Sequence, residues 1–297
     1  MDYQHDLQFG AFITPAVRPI QQAVELTRFA EEVGLDLATF QDHPYNPGLL
    51  DTWTLLSYAA AKTSRIHLSG NVLNLPLRHP ALLAKQAATL DLLSGGRLEM
   101  GLGAGGFWDP IVAMGGPRRT PGEAVEALEE AILLMKDVWN TEQRGGVKAT
   151  GAHYPINGAK RGPAPAHDIP FWIGAYKPRM LRMVGRVADG TLPSLAYLKT
   201  GPAELDEMNK WIDEGAQSVE RDPRAIRRML NISGQFSRTN GGFLIGPARQ
   251  WSEQLAELTH RYGVSTFILT GDDPETIEFF AKEVVPATRD LVAAARR

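Results

Sequence analysis

The chain contains no cysteine. That excludes disulfides, thiolate metal sites and thiol nucleophiles, and it fits an intracellular, cytoplasmic protein. No run of about 18 apolar residues occurs, so no membrane span is expected. Residues 1–10 hold no basic segment followed by an apolar stretch, so no signal peptide is expected either. Charge of one sign is scarce: 31 basic against 34 acidic residues leave a net −3. Such a balance argues against nucleic acid or an anionic membrane as the main partner. Several catalytic motifs are also missing. There is no GxSxG elbow, no GxxxxGK[ST] loop, and no HExxH or HxH spacing among the seven histidines, so hydrolase, P-loop and zinc chemistry have no foothold and no metal is expected.

What is present is a strand followed by a helix, again and again. With 297 residues, 43% hydrophobic, the chain is long enough for one α/β barrel. Strands are expected at 7–14, 35–41, 66–73, 98–102, 169–175, 190–193, 228–234 and 264–270. Ala23, Leu26, Ala30 and Val33 mark the first helix by steps of three and four. Val125, Leu128, Ile132, Met135 and Trp139 mark the clearest one, with Pro121 and Glu123 suited to its first turn. Further helices are expected at 51–62, 80–93, from 178, 202–219, 249–262 and from 273, where Ile277, Phe280 and Val284 face inward. Residues 140–166 are rich in glycine and proline and hold a small excursion. Eight such units favour a parallel sheet. Counting them does not separate a closed barrel from an open doubly wound sheet. No repeat or linker interrupts the pattern, so one domain over 1–297 is the simplest reading.

In a barrel, chemistry belongs where strands end. The sequence 101–106, Gly-Leu-Gly-Ala-Gly-Gly, fits GxGxxG. A dinucleotide reading needs a helix to open at once, yet regular helix is expected only from Pro121. The glycines instead suit close backbone approach to a flat or anionic ligand, or an ordinary turn. Asp42-His43 ends the second strand. A histidine there can move a proton near neutral pH, and the carboxylate beside it could fix its tautomer or point into the pocket; a simple turn is the alternative. Asn71 and Asn74 interrupt an apolar run, and their amides could meet a heterocycle's edge or cap the following loop. Gly174, Ala175, Tyr176, Lys177, Pro178 and Arg179 form a strand-to-helix turn whose free N–H groups and basic neighbours suit a phosphate, or lie merely exposed. His67 alternates with Ile66 and Leu68 and could simply face a helix. Tyr45, Trp108 and Phe236 suggest a partly apolar pocket, and the glycine-rich segment Thr239 to Gly242, within 236–247, could form a lid.

Several segments together resemble one family. The stretch 66–105, with Arg78-His79-Pro80, 84–91, 94–97 and Gly101 to Gly105, is similar to the luciferase-like monooxygenases and their F420-dependent relatives. So are Asp42-His43 and the run 185–190, Gly-Arg-Val-Ala-Asp-Gly. The resemblance implies a luciferase-like (β/α)8 TIM barrel with loop insertions at its C-terminal face and a flavin or deazaflavin ring across the mouth. It implies a cis Asn71–Val72 peptide beneath that ring. Asn71, Val72 and Asn74 would contact the ring. Gly103, Ala104, Gly105 and Gly106 would approach the ribityl chain or phosphate. Gly174, Ala175 and Tyr176 would help hold the phosphate, with Lys177 or Arg179 replacing the hydroxyls that some relatives place there. His43 would be the catalytic acid or base, with Asp42 beside it. Where some F420 enzymes carry a glutamate, this chain has Gly106. The resemblance thus implies FMN or coenzyme F420. With FMN the chain would be a flavin-dependent monooxygenase acting on a small organic substrate, with a separate reductase as partner. With F420 it would be a hydride-transferring dehydrogenase or reductase. A non-catalytic binder of the same cofactor, or a cofactor-free barrel enzyme, are the readings of other classes. Family members are often homodimers, and a homodimer is expected.

Overall fold

A computed structural model describes residues 2–297. Eight parallel strands close into a barrel. In order they are Gln8–Ile13, Leu37–Phe40, His67–Gly70, Leu98–Gly103, Phe171–Ile173, Gly190–Thr191, Arg227–Ile232 and Val264–Thr270. The first pairs with the eighth, and the third pairs with the fourth, so no edge remains. The choice between barrel and open sheet is therefore settled by closure. The third strand breaks after Gly70 and resumes as Leu73–Asn74, still paired to the fourth. The Asn71–Val72 peptide inside that break is cis.

Alternation along each strand separates two cores. Outward residues such as Phe9, Ala11, Leu68, Leu98, Leu230 and Phe267 pack beneath the helices. Inward residues Leu37, Trp172, Leu192, Met229 and Ile268 fill the barrel's middle, with Phe12 and Val72 packed on them. Gly101 is forced by this filling: a Cβ there would lie 1.9 Å from the Gly70 carbonyl oxygen. The floor is polar. His67 Nδ1 lies 2.7 Å from Glu99 Oε1. Arg227 donates to Thr266 Oγ1, which donates to Gln8 Oε1. His67 thus points into the barrel and not at a helix, because it pairs with inward Leu37.

The helices follow their sequence signals. Thr120 and Glu123 form a reciprocal capping box on Pro121–Trp139. Gly95 ends Pro80–Ser94 in a left-handed conformation. The last helix runs as Pro274–Phe279, a π turn Phe280–Val284, and Val285–Ala295. Pro286 brings no N–H to the ladder there, which favours the wider turn. Ile277, Phe280 and Val284 are buried, as their spacing requires. The excursion holds an antiparallel pair, Val147–Ala149 with Ile156–Ala159. One expectation fails: a six-residue helix, Trp108–Ala113, opens directly after the glycine-rich turn. Pro110 is the reason it escapes the sequence. It reads as a breaker, but it sits in the first turn, where its missing N–H has no partner to lose. No helix among the described residues is long and apolar enough to cross a membrane.

Candidate active site at the barrel mouth

A hydrogen-bond chain crosses the C-terminal mouth. Asn71 Nδ2 donates to Thr39 Oγ1 at 3.1 Å and to Asn231 Oδ1 at 2.7 Å. Asn231 Nδ2 donates back to Asn71 Oδ1 at 3.1 Å and on to Ser194 Oγ at 3.0 Å. The Ser194 N–H then donates to Tyr176 Oη at 2.8 Å. Side chains from the second, third and seventh strands, and from the loops after the fifth and sixth, are locked into one polar layer. Satisfied networks of this kind are rigid. Asn74 Oδ1 stands apart: it is buried, and no group bonds to it. A buried acceptor without a donor is uncommon in a folded protein. It fits the N–H edge of a flavin-type heterocycle laid over Asn71 to Asn74.

Val72 explains Gly103: a Cβ there would come 2.6 Å from Val72 Cγ2. A Cβ on Gly174 would only touch the Val72 methyls at 3.4–3.5 Å, an ordinary contact. Ala104 packs on the core. Gly105, at φ +94, turns the chain against Pro76 and Trp108, and Gly106 faces open space. Gly105 and Gly106 offer bare backbone to a ligand.

His43 stands at the rim after the second strand. Its Nδ1 lies 2.8 Å from Tyr45 Oη. Its ring packs edge-on to Phe107, centroids 5.5 Å apart, and Tyr45 and Phe107 close the triangle at 6.3 Å. Phe107 is 63% exposed. Burial pushes the His43 pKa down, opposed by the negative charge of Asp42. Burial thus disfavours the imidazolium, and Nδ1 is engaged with Tyr45. Burial also raises Tyr45, so its hydroxyl stays protonated.

Asp42 corrects the expectation made for it. Its carboxylate makes no hydrogen bond to the imidazole and does not line the mouth. It is buried, accepting from the Asn74 N–H at 2.8 Å and from Arg78 Nε and Nη2, both at 2.8 Å. Arg78 Nη2 also reaches Asp51 Oδ2 at 2.8 Å, and Asp51 caps helix Thr52–Ala60. Asp42 fastens the end of the second strand to the end of the third; it is a positioning residue.

The later turn divides. Ala175 is buried, and Tyr176 belongs to the mouth network. Lys177 is exposed at the N-cap of Pro178–Val187. Arg179 is drawn away into an ion pair with Glu126, so it is not poised over the mouth. One pocket candidate stays and one leaves. Trp108 stands against the Gly105 turn and is partly exposed. Phe236 packs on Trp251 and Phe279 at centroid distances of 4.4 and 4.6 Å. The lid reading is narrowed: Gln235–Phe236 pairs with Ile245–Gly246, which ties down both ends, and Leu244 is buried. Asn231 and Thr39 were not singled out from sequence, and Arg78 entered only as part of a family-like motif. Asn231 carried a usable signal, a polar residue between Leu230 and Ile232 in the seventh strand. Size does not locate the site: cavities of 660 and 840 Å³ lie beside the first helix and below the start of the fifth strand, away from this network.

Known proteins share this fold. A family model described as luciferase-like monooxygenase matches residues 7–240. The chain belongs to the luciferase-like monooxygenase family. An F420-dependent glucose-6-phosphate dehydrogenase from Amycolatopsis mediterranei (strain U-32) is 28% identical over 249 residues, covering 82% of this chain and 73% of that protein. A 5,10-methylenetetrahydromethanopterin reductase from Methanopyrus kandleri is 32% identical over 232 residues, covering 73% and 62%. This luciferase-like oxidoreductase thus spans somewhat under two thirds of that second relative. In structure, it resembles an F420-dependent secondary alcohol dehydrogenase solved with an F420–acetone adduct. The TM-score is 0.83 at 19% identity, with 96% of this chain and 100% of that chain covered. At that identity the likeness speaks for the fold alone.

Proposed function

We propose that this luciferase-like oxidoreductase is an F420-dependent dehydrogenase or reductase acting on a small alcohol or carbonyl compound. The observation that carries the reading is the buried, unpartnered Asn74 Oδ1, on the same rim as His43. The names of the relatives favour the deazaflavin over FMN. When bound, that cofactor supplies a ring carbon that accepts or returns a hydride. Asn74 would receive the ring's N–H, the backbone of Gly105 and Gly106 would lie along the side chain of the cofactor, and Val72 would support the ring from below. His43 Nε2 would take the substrate's hydroxyl proton during oxidation and return it during reduction, with Tyr45 holding the ring through Nδ1. Gly106 leaves no acid after the glycine turn, so His43 would carry the proton alone.

Titration with F420 and with FMN, followed by single-turnover assays with and without oxygen, tests this. Tight F420 binding and oxygen-independent turnover are expected. Tight FMN binding with oxygen consumption would replace the proposal by a monooxygenase served by a separate reductase. Binding without any turnover would leave a cofactor carrier. The same preparations, in light scattering, are expected to show a homodimer.

A further inference from the structure

A second cavity lies just outside the mouth and plays no part in the hydrogen-bond chain that crosses it. Its volume is about 450 Å³. It begins at Leu75, next to Asn74, and runs to the linker before Pro121 and to the excursion. Pro76 forms one wall and also abuts the Gly105 turn, where a Cβ would lie 2.8 Å from Pro76 Cγ. The cavity is thus the next depression beyond the glycine turn.

Its chemistry is cationic and unfinished. Arg119 lies over the Tyr154 ring at 5.2 Å, and among the described residues no carboxylate comes within ion-pair distance of it. His79 meets the same ring edge-on at 5.9 Å. Tyr154 is only 7% exposed, and its Oη has no hydrogen bond of good geometry. The Arg119 charge, and a side-chain contact from Arg119 to Oη short of good hydrogen-bond geometry, oppose the rise that burial causes in the Tyr154 pKa. His153 Nε2 is likewise buried without a hydrogen bond, its nearest carboxylate, Glu126, being 3.8 Å away. These groups are not free to turn aside. The backbone N–H groups of His153 and Tyr154 both donate to Glu130, at 3.0 and 2.6 Å. A guanidinium with no carboxylate within ion-pair distance, beside two histidines and a buried hydroxyl, suits an anion.

We propose that this cavity binds an anionic group, a carboxylate or a phosphate, with Arg119, Tyr154 Oη and His153 Nε2 as its ligands. Two sources share that chemistry: the acidic tail of a deazaflavin seated at the mouth, and an independent small anion. The site itself does not depend on the cofactor reading.

The test uses the full chain labelled with ¹⁵N-histidine. Inorganic phosphate, and separately glutarate, should shift the His153 and His79 ring-nitrogen resonances saturably. Arg119→Gln should weaken that response about tenfold, and Tyr154→Phe, which removes one oxygen, should weaken it less. No saturable shift, or a shift untouched by both substitutions, overturns the proposal. The source follows from F420 compared with its tail-less riboside. If Arg119→Gln raises the Kd of F420 about tenfold and spares the riboside, the tail occupies the site. If both are spared while phosphate still binds, the anion is separate. If neither deazaflavin binds, the functional reading fails and the phosphate experiment still decides the site.

Discussion

His43 and His67 are both partly buried imidazoles beside a carboxylate, and their environments push them in opposite directions. At His43 burial dominates, lowering the pKa. Oxidation of an alcohol needs its unprotonated form, so that activity should fall as pH drops below the ordinary histidine value of 6.5, with the midpoint under it. A kcat profile against pH checks this; a midpoint above the ordinary value would remove His43 as the base. His43→Ala should lower kcat by about a hundredfold or more while the cofactor Kd stays put. At His67 the hydrogen bond to Glu99 is the largest influence and raises the pKa against desolvation. A raised native pKa means stability fully present below the unfolded value and lost as pH rises through the folded one. The melting temperature should therefore decline from near pH 6.5 upward, and His67→Gln should flatten that part of the curve.

Strand ends are joined by Asp42, Arg78 and Asp51, and this clasp sets where His43 and Asn74 sit. Both members of the central pair are buried, side chains 13% and 1% exposed. Asp42→Ala leaves Arg78 with only Asp51 and strips the buried Asn74 N–H of its acceptor, which costs about 1–3 kcal/mol. Asp42→Ala should show that loss in denaturant unfolding, together with weaker cofactor binding. A fall in kcat alone, with stability and Kd intact, would instead make Asp42 a catalytic group. Elements with a period or a cap were legible from sequence: Pro121–Trp139 with Thr120 and Glu123, and Pro80–Ser94 with Gly95. Trp108–Ala113 was not, because six residues containing a proline hold too little periodicity. The direction of His67 was also hidden, since a strand residue's face depends on register with its neighbours.

For the molecule as a whole, cofactor binding and folding are linked. A ligand present at a hundred times its Kd adds about 2.7 kcal/mol to stability, which is several degrees of melting temperature for a chain this long. F420 should deliver that increment at micromolar concentration and FMN should not. The reverse order would favour the monooxygenase reading.

Local patterning determined the eight strand–helix units through side-chain period, capping and turn chemistry, and it marked His43, Asn71 and Asn74 as polar residues at strand ends. The barrel, and with it the rim as the place for chemistry, came from the family resemblance. Tertiary structure decided whatever depends on residues far apart in the chain. Closure needs the first strand against the eighth. The bonds of Asn71 with Asn231 span 160 residues. Arg78 claims Asp42 across 36 residues and turns it from the expected partner of His43 into a fastening. A carboxylate's role is set by which cation reaches it first, and that contest is settled only in three dimensions.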